Sequence, residues 1–388
     1  MSERAPTPVH PVVPPLSAAL AAPADSPWRD VPAADWRDWR WQLRHRLRTA
    51  DELAQRFVIS QELRAFLEAG SGFEVAITPF FASLCRPFDP TCPLTRQVLP
   101  DVAEATVRTF ERADPLGEDP HRKAPGIVHK YPDRVLFLVT DTCAAYCRYC
   151  TRARWVASGS DSLGSAQLDA GIAYIAQTPT IRDVLISGGD PLLLSTPKLA
   201  AILDRLAAIP HLRFIRLGTR VPIFLPQRID AELVHALRPR RIPLFVNVHC
   251  NHFAELADPV REALARLADG GISLGGQTVL LRGVNDAMPV LQETLYALLS
   301  SRVRPYYLFH CDPIRGSAHL RTSVDEGLEL MRQLIGHTSG MAVPKYVIDL
   351  EGGGKIPLWP AYVEQLDRDL LHITNFRGEP WTYVNHAD

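Results

Sequence analysis

From Arg134 onward, short runs of apolar and β-branched residues alternate with patterns of helical period. The strand-like runs are "RVLFLVTD" (134–141), "DVLISG" (183–188), "RFIRLGT" (213–219), "LFVNVHC" (244–250), "SLGGQTVLL" (273–281) and "RPYYLFHCD" (304–312). Between them lie helical patterns such as "SAQLDAGIAYIAQTP", "TPKLAAILDRLAAI", "DPVREALARLADGG" and "PVLQETLYALLSS". Six β-α repeats imply a parallel sheet with right-handed crossovers. Ahead of them, residues 35–70 carry apolar positions three and four apart, with Thr49 or Asp51 suited to start a helix. Residues 1–32 hold eight prolines and many alanines and read as a disordered leader. The pattern therefore divides the chain into a leader (1–32), a helical region (33–125), a β-α region (126–340) and a C-terminal segment (341–388).

The chemically suggestive residues fall at or just past the C-terminal ends of these strands. Cys143 follows the first, "SGGD" ends the second, and Arg220 follows the third. His249 ends the fourth, Gln277 lies in the fifth, and Asp312 ends the sixth. Barrel sites are built on that face from many strands, whereas an open doubly wound sheet concentrates its site at one switch point. The expected fold is α/β, a partial (βα)6 TIM-type barrel with an N-terminal helical extension and a short C-terminal segment.

Composition narrows the function. A net charge of -1 gives no bulk case for nucleic acid or an anionic membrane. No apolar run approaches the roughly 18 to 20 residues of a membrane span, and the proline-rich start has no signal-peptide core. Seven cysteines, three of them clustered, argue against a disulfide scaffold and for a reducing cytoplasm.

Those three are Cys143, Cys147 and Cys150, spaced C-x3-C-x2-C. Three thiolates suit a [4Fe–4S] cluster with one iron left open for chemistry. Structural zinc needs a fourth ligand; Cys85 or Cys92 is the candidate donor, although no second C-x2-C pair is present. Near the other end, "VPKYVIDLEGGGKIPL" (343–358) places Lys355 after three glycines. Its amine could form a Schiff base with an aldehyde such as pyridoxal phosphate, and a flexible loop with a solvated lysine is the plain alternative.

The cysteine spacing after a first strand, together with "SGGDPL", resembles the signature of the radical S-adenosylmethionine superfamily. From Trp36 to about Tyr383 the chain resembles the lysine 2,3-aminomutase family. The pieces that carry the likeness include "HKYPDRVLFLVTDTCAAYCRYCTR", "VLISGGDPLL", "VNVHCNH", "GGQTVLLRGVND", "RPYYLFHCD" and "GHTSGMAVPKYVIDLEGGGKIP". The resemblance implies a radical enzyme that uses the cluster, S-adenosylmethionine and pyridoxal phosphate to move the α-amino group of L-lysine from C2 to C3. It assigns cluster ligation to Cys143, Cys147 and Cys150, and Lys355 to pyridoxal phosphate. Arg134 and Lys130 would hold the cofactor phosphate; Lys130 stands where an arginine is usual. Ser187, Gly188, Gly189, Asp190, His249 and Gln277 would lie against S-adenosylmethionine. Arg152 would pair with the substrate carboxylate, and Asp312 and Asp349 with its side-chain ammonium.

Two departures from the family stand out. The cysteine-rich zinc tail and its partner cysteine are missing, with Ala287 at the latter position, so no zinc is expected. The stretch from Asp349 to Lys355 is one residue short. Arginine or ornithine as substrate, and a relative that modifies a protein-bound lysine, are the alternatives. An amino acid substrate, a one-electron donor of flavodoxin or ferredoxin type and a homo-oligomer are the expected partners.

Overall fold

The computed structural model describes residues 20–70, 72–156, 163–366 and 370–384. Its centre is a ten-stranded sheet in sequential order. The strands are β1 (Arg122–Ala124), β2 (Ile127–Tyr131), β3 (Arg134–Thr140), β4 (Asp183–Gly188), β5 (Phe214–Thr219), β6 (Leu244–His249), β7 (Ser273–Leu280), β8 (Arg304–His310), β9 (Lys345–Leu350) and β10 (Gly354–Pro357). Each neighbouring pair from β3 to β9 is parallel. Antiparallel strands finish both edges: β1 and β2 beyond β3, and β10 beyond β9. The six strands read from the sequence are β3 to β8, so the partial barrel holds. It gains a seventh parallel strand, β9. The segment carrying Lys355 is therefore a hairpin rather than a loop.

The helices anticipated between the strands form at Ser165–Ala176, Thr196–Ala207, Asp258–Asp269 and Met288–Ser300. A further one, Val324–Leu334, starts at Ser323 with a capping box to Glu326. Its Leu330, Met331 and Leu334 pack with Leu291, Leu295, Leu308 and Tyr346, which covers β8 and β9.

The N-terminal region is broken into short helices by its own caps. Asp38 accepts from the backbone of Arg40 and Trp41, ending Ala33–Arg37 and starting Trp39–Arg44. Thr49 and Glu52 make a capping box that starts Ala50–Ala54. Trp36, Leu53, Ile77 and Phe81 share one buried cluster with Val184 and Leu217 of the barrel. The boundary expected near residue 125 therefore does not divide the core. The leader reading also needs revision: residues 1–19 lie outside the described residues, but Leu20 and Trp28 are buried in that same cluster.

A separate three-stranded sheet, β11 (Val363–Leu366), β12 (Leu370–Thr374) and β13 (Pro380–Val384), ends the described chain. Among the described residues no helix is long and apolar enough to cross a membrane.

Candidate active site

Two adjoining cavities, of about 290 and 460 Å³, lie against the parallel strands: the smaller at their C-terminal ends, the larger against their N-terminal halves, where Arg134, Asp183 and Phe214 line it. The smaller is lined by Cys143, Cys147, Cys150, Arg152, Ser187, Gly188, Gly189, Asp190, His249, Gln277, Asp312, Asp349 and Lys355. Lys130 and Arg134 line the larger, which shares Arg152, Asp349 and Lys355 with its neighbour. Every residue that the family resemblance assigned to the site thus lines one of these two adjoining cavities, though several do so with their polar atoms already engaged.

The three thiols sit on the loop that leaves β3. Among the described residues no three His, Cys, Asp or Glu side chains converge tightly enough for one metal ion. All three thiols line the smaller cavity, and three cysteine ligands are what a cluster with one open iron takes from the protein. Cys85 and Cys92 line neither cavity and pack in the N-terminal core, so they offer no fourth ligand. Burial and the neighbouring Cys147 push the Cys150 thiol up to about 11; burial, Cys150 and Asp190 push Cys143 well up too. Cys143 and Cys150 thus resist ionisation, a burden that an iron cluster would relieve by neutralising thiolate charge. The loop is rigidly tied. Arg46 donates to the Cys143 carbonyl at 2.7 Å. Arg148, fully buried, pairs with Glu104 and donates to the carbonyls of Glu74 and Phe73 at 2.9 Å each.

At the end of β4, Gly188 has φ +130° and a Cβ there would stand 2.2 Å from the Thr140 carbonyl oxygen. At Gly189 a Cβ would stand 2.3 Å from that of Thr142. These glycines let β4 close onto the start of the cysteine loop, to which the backbone N–H groups of Gly189 and Asp190 donate. Asp190 departs from its expected role. Both carboxylate oxygens are taken by the Thr219 hydroxyl and by the N–H groups of Leu192, Arg220 and Val221. It fastens β4 to β5 rather than presenting a free acceptor. His249 is opposite Gln277 in the β6–β7 register. Burial, then the Arg220 charge, lower its pKa to about 3, so the imidazole is neutral. Its Nε2 meets the Tyr149 hydroxyl at 3.0 Å.

Lys355 lies on β10 directly across from Asp349 on β9, joined by a three-residue turn. Cross-strand partners project from the same face, and the Lys355 ammonium donates to Asp349 Oδ2. Its backbone N–H donates to the Tyr131 hydroxyl at 2.9 Å. Lys130 also departs from expectation. Its three N–H donors go to the carbonyls of Leu116 and Leu350, each at 2.9 Å, and to Asp349 Oδ1 at 3.5 Å. No donor is left pointing at a phosphate. Arg134 is half-exposed on the larger cavity, stacked on the Tyr131 ring at 3.7 Å and paired with Asp133. Arg216 lines the same cavity, bidentate to Asp183.

Arg152 forms a forked pair with Glu118, Nη2 to Oε1 at 2.7 Å and Nε to Oε2 at 3.1 Å. Asp312 is the contrasting case: among the described residues no cation stands within salt-bridge distance of it. Burial, then repulsion from Asp349, raise its carboxyl to about 7.

Sequence reasoning missed Glu118, Gln97 and Glu255. The first orients Arg152; the others sit in a buried polar group behind the cysteine loop. Glu118 and Gln97 come from stretches with no period, and only their chemistry, acidic or amide beside a needed arginine, could have pointed to them.

Comparison with known proteins agrees with this geometry. A family model described as "Lysine-2,3-aminomutase" matches residues 331–388, and one described as "4Fe-4S single cluster domain" matches residues 132–212. The chain is 44% identical to the L-lysine 2,3-aminomutase of Clostridium subterminale, over 92% of this chain and 86% of that protein. It is 44% identical to the Bacillus subtilis protein of the same name, over 93% and 78%. With the glutamate 2,3-aminomutase of Clostridioides difficile the identity is 38%, over 89% and 82%. Three thiols, a strand-borne lysine and paired carboxylates around one cavity, with identity at this level along nine-tenths of the chain, place the chain in the lysine 2,3-aminomutase family.

Proposed function

We propose that this protein is an isomerase that moves the α-amino group of L-lysine from C2 to C3, giving β-lysine. The observation that carries the reading is the meeting of three thiols, Lys355, Arg152 and two carboxylates on a single cavity. Cys143, Cys147 and Cys150 would hold three irons of a [4Fe–4S] cluster, with S-adenosylmethionine at the fourth and pyridoxal phosphate on Lys355. When bound, these groups supply a radical able to take an unacidic β-hydrogen and a carbonyl carbon that carries the migrating nitrogen.

The chain's own residues then have definite tasks. Lys355 must shed a proton before its amine can attack a carbonyl, and the touching Asp349 Oδ2 is the acceptor. Neutral His249 adds no positive charge beside a cationic sulfonium. Asp312 offers an unshared carboxylate to a cationic side chain. Arg152, already held flat by Glu118, presents its remaining N–H groups to a carboxylate. Leu185, Val279 and Phe309 supply apolar lining that limits water around the reacting centre. A one-electron donor of flavodoxin or ferredoxin type in the cytoplasm would reduce the cluster. Homo-oligomerisation suits the exposed Trp381 and Tyr383 of the C-terminal sheet.

Product analysis tests the reading. The anaerobically reconstituted protein, given S-adenosylmethionine, pyridoxal phosphate and a reductant, is offered L-lysine, L-arginine, L-ornithine and L-glutamate separately. β-Lysine is expected. β-Arginine alone would keep the chemistry and overturn the substrate, and no β-amino acid from any of the four would overturn the aminomutase reading.

A further inference from the structure

Behind the cysteine loop lies a buried polar group that the reaction as described does not use. Arg220, just past β5, is its centre and is 6% exposed. Its Nη1 donates to Cys147 Sγ at 2.9 Å and to the Tyr149 hydroxyl at 2.6 Å. Its Nη2 donates to Gln97 Oε1 at 2.5 Å and to Glu255 Oε1 at 3.2 Å. Phe224 stacks 4.3 Å from the guanidinium. Glu255 has no exposure at all and is itself held by Gln97 Nε2 at 2.8 Å and the Asn251 N–H. Asn251 Nδ2 closes the ring of contacts onto Gln97 and Tyr149. The Nε of Arg220 is buried with no partner.

A purely structural arginine would spend its fork on oxygen acceptors and leave no buried N–H idle. Here one arm is committed to a thiol that the proposed function makes an iron ligand. Arginine keeps its charge throughout the accessible pH range. Hydrogen bonds to cluster sulfurs are among the factors that set an iron–sulfur potential, and a fixed positive charge in a dry site favours the more electron-rich state. The buried carboxylate of Glu255 opposes that effect from the far side of the guanidinium.

We propose that Arg220 is a positioning residue that sets the potential of the cluster, donating to the Cys147 thiolate and raising the potential at which the cluster accepts its electron, with Glu255 as the counterweight. The inference rests on the cluster assignment made above. The step it concerns is a one-electron transfer: the external donor loses one electron, the cluster passes from the 2+ to the 1+ state, and no bond or proton is exchanged.

The test is a redox titration of the reconstituted holoenzyme, followed by the paramagnetic signal of the reduced cluster, on wild type, Arg220→Met and Glu255→Gln. Iron and sulfide content are measured alongside. Arg220→Met with full cluster content is expected to shift the midpoint negative, so that at fixed poise the reduced-to-oxidised ratio falls about tenfold, equivalent to about 59 mV for one electron. Glu255→Gln is expected to shift it in the positive direction. Should Arg220→Met fail to load its cluster, the sign of the Glu255→Gln shift decides alone. An unchanged midpoint in either loaded variant, a negative shift in Glu255→Gln, or an Arg220→Met effect confined to S-adenosylmethionine affinity overturns the proposal. Wild-type protein without iron–sulfur absorbance would remove the cluster assignment itself, a different failure.

Discussion

Asp349 and Lys355 face each other across the β9–β10 hairpin, so that the carboxylate has the cofactor-candidate amine on one oxygen and Lys130 on the other. The short turn produces this directness: three residues separate the strands, and the pair falls in register. Asp349→Asn keeps the shape and removes the charge. A hydrogen bond to a charged group contributes about 1.5–3 kcal/mol, so KM for a cationic substrate is expected to rise roughly tenfold to a hundredfold. Loading of pyridoxal phosphate should also slow, because Asp349 is the proton acceptor for the Lys355 amine. Steady-state kinetics alongside cofactor analysis reads both, and an unaltered KM would contradict this role.

Asp312 is expected to make binding pH-dependent. Its folded pKa of about 7 lies above the ~3.9 of an unfolded aspartate. Between those limits the folded chain holds a proton that the unfolded chain has lost, so the group's contribution to stability falls as pH rises from about 4 to about 7. A cationic ligand favours the charged form, so affinity for lysine should climb as pH rises towards 7, with proton release on binding. Calorimetry in buffers of different ionisation heat measures that proton, and Asp312→Asn should abolish it. Release persisting in the variant would assign it elsewhere.

Lys130 separates two roles cleanly. If its ammonium anchors Asp349 and the two carbonyls, Lys130→Met leaves the buried Asp349 oxygen unpaired, at a cost of roughly 1–3 kcal/mol for such a group. A lower melting temperature and weaker substrate binding are expected, with pyridoxal phosphate retained. Loss of the cofactor at unchanged stability would restore the phosphate-binding role that the sequence suggested.

Gly188→Ala and Gly189→Ala should both disturb the cysteine loop, because the added carbon meets backbone rather than a flexible side chain. At Gly188 a strained φ adds roughly 1–3 kcal/mol to the clash. Lower thermal stability and reduced iron content after reconstitution are expected. Full iron loading in both variants would show that β4 need not close so tightly.

Much of this was legible in the chain. Strands β3 to β8 are buried and apolar, so their period survives in the sequence almost residue for residue. β9 was not legible, since "EGGGK" just beyond it reads as a loop and masks the apolar "YVI" in front. β1 and β2 carry Lys123, His129 and Lys130 on half-covered edges, which gives no clean alternation. Within the site, residue types and spacing led to the right cavity. Spacing could not reveal that Lys130, Asp190 and Arg152 already have protein partners, because Leu116, Thr219 and Glu118 lie far away in sequence and meet them only through the fold.

The edge strands leave one more consequence. β10 ends the sheet order and β2 lies one strand in from its other end, yet Tyr131 and Lys130 of β2 bond to Lys355, Leu350 and Asp349 of the β9–β10 edge. The circumference is completed there by a handful of side-chain contacts, whereas every other join is a backbone ladder. Such contacts contribute about 1 kcal/mol net for the neutral Tyr131 bond and about 1.5–3 kcal/mol for those of the Lys130 ammonium. The weakest seam of the ring is therefore the one that carries Lys355, and parting it would leave the parallel strands that frame the cysteine loop intact.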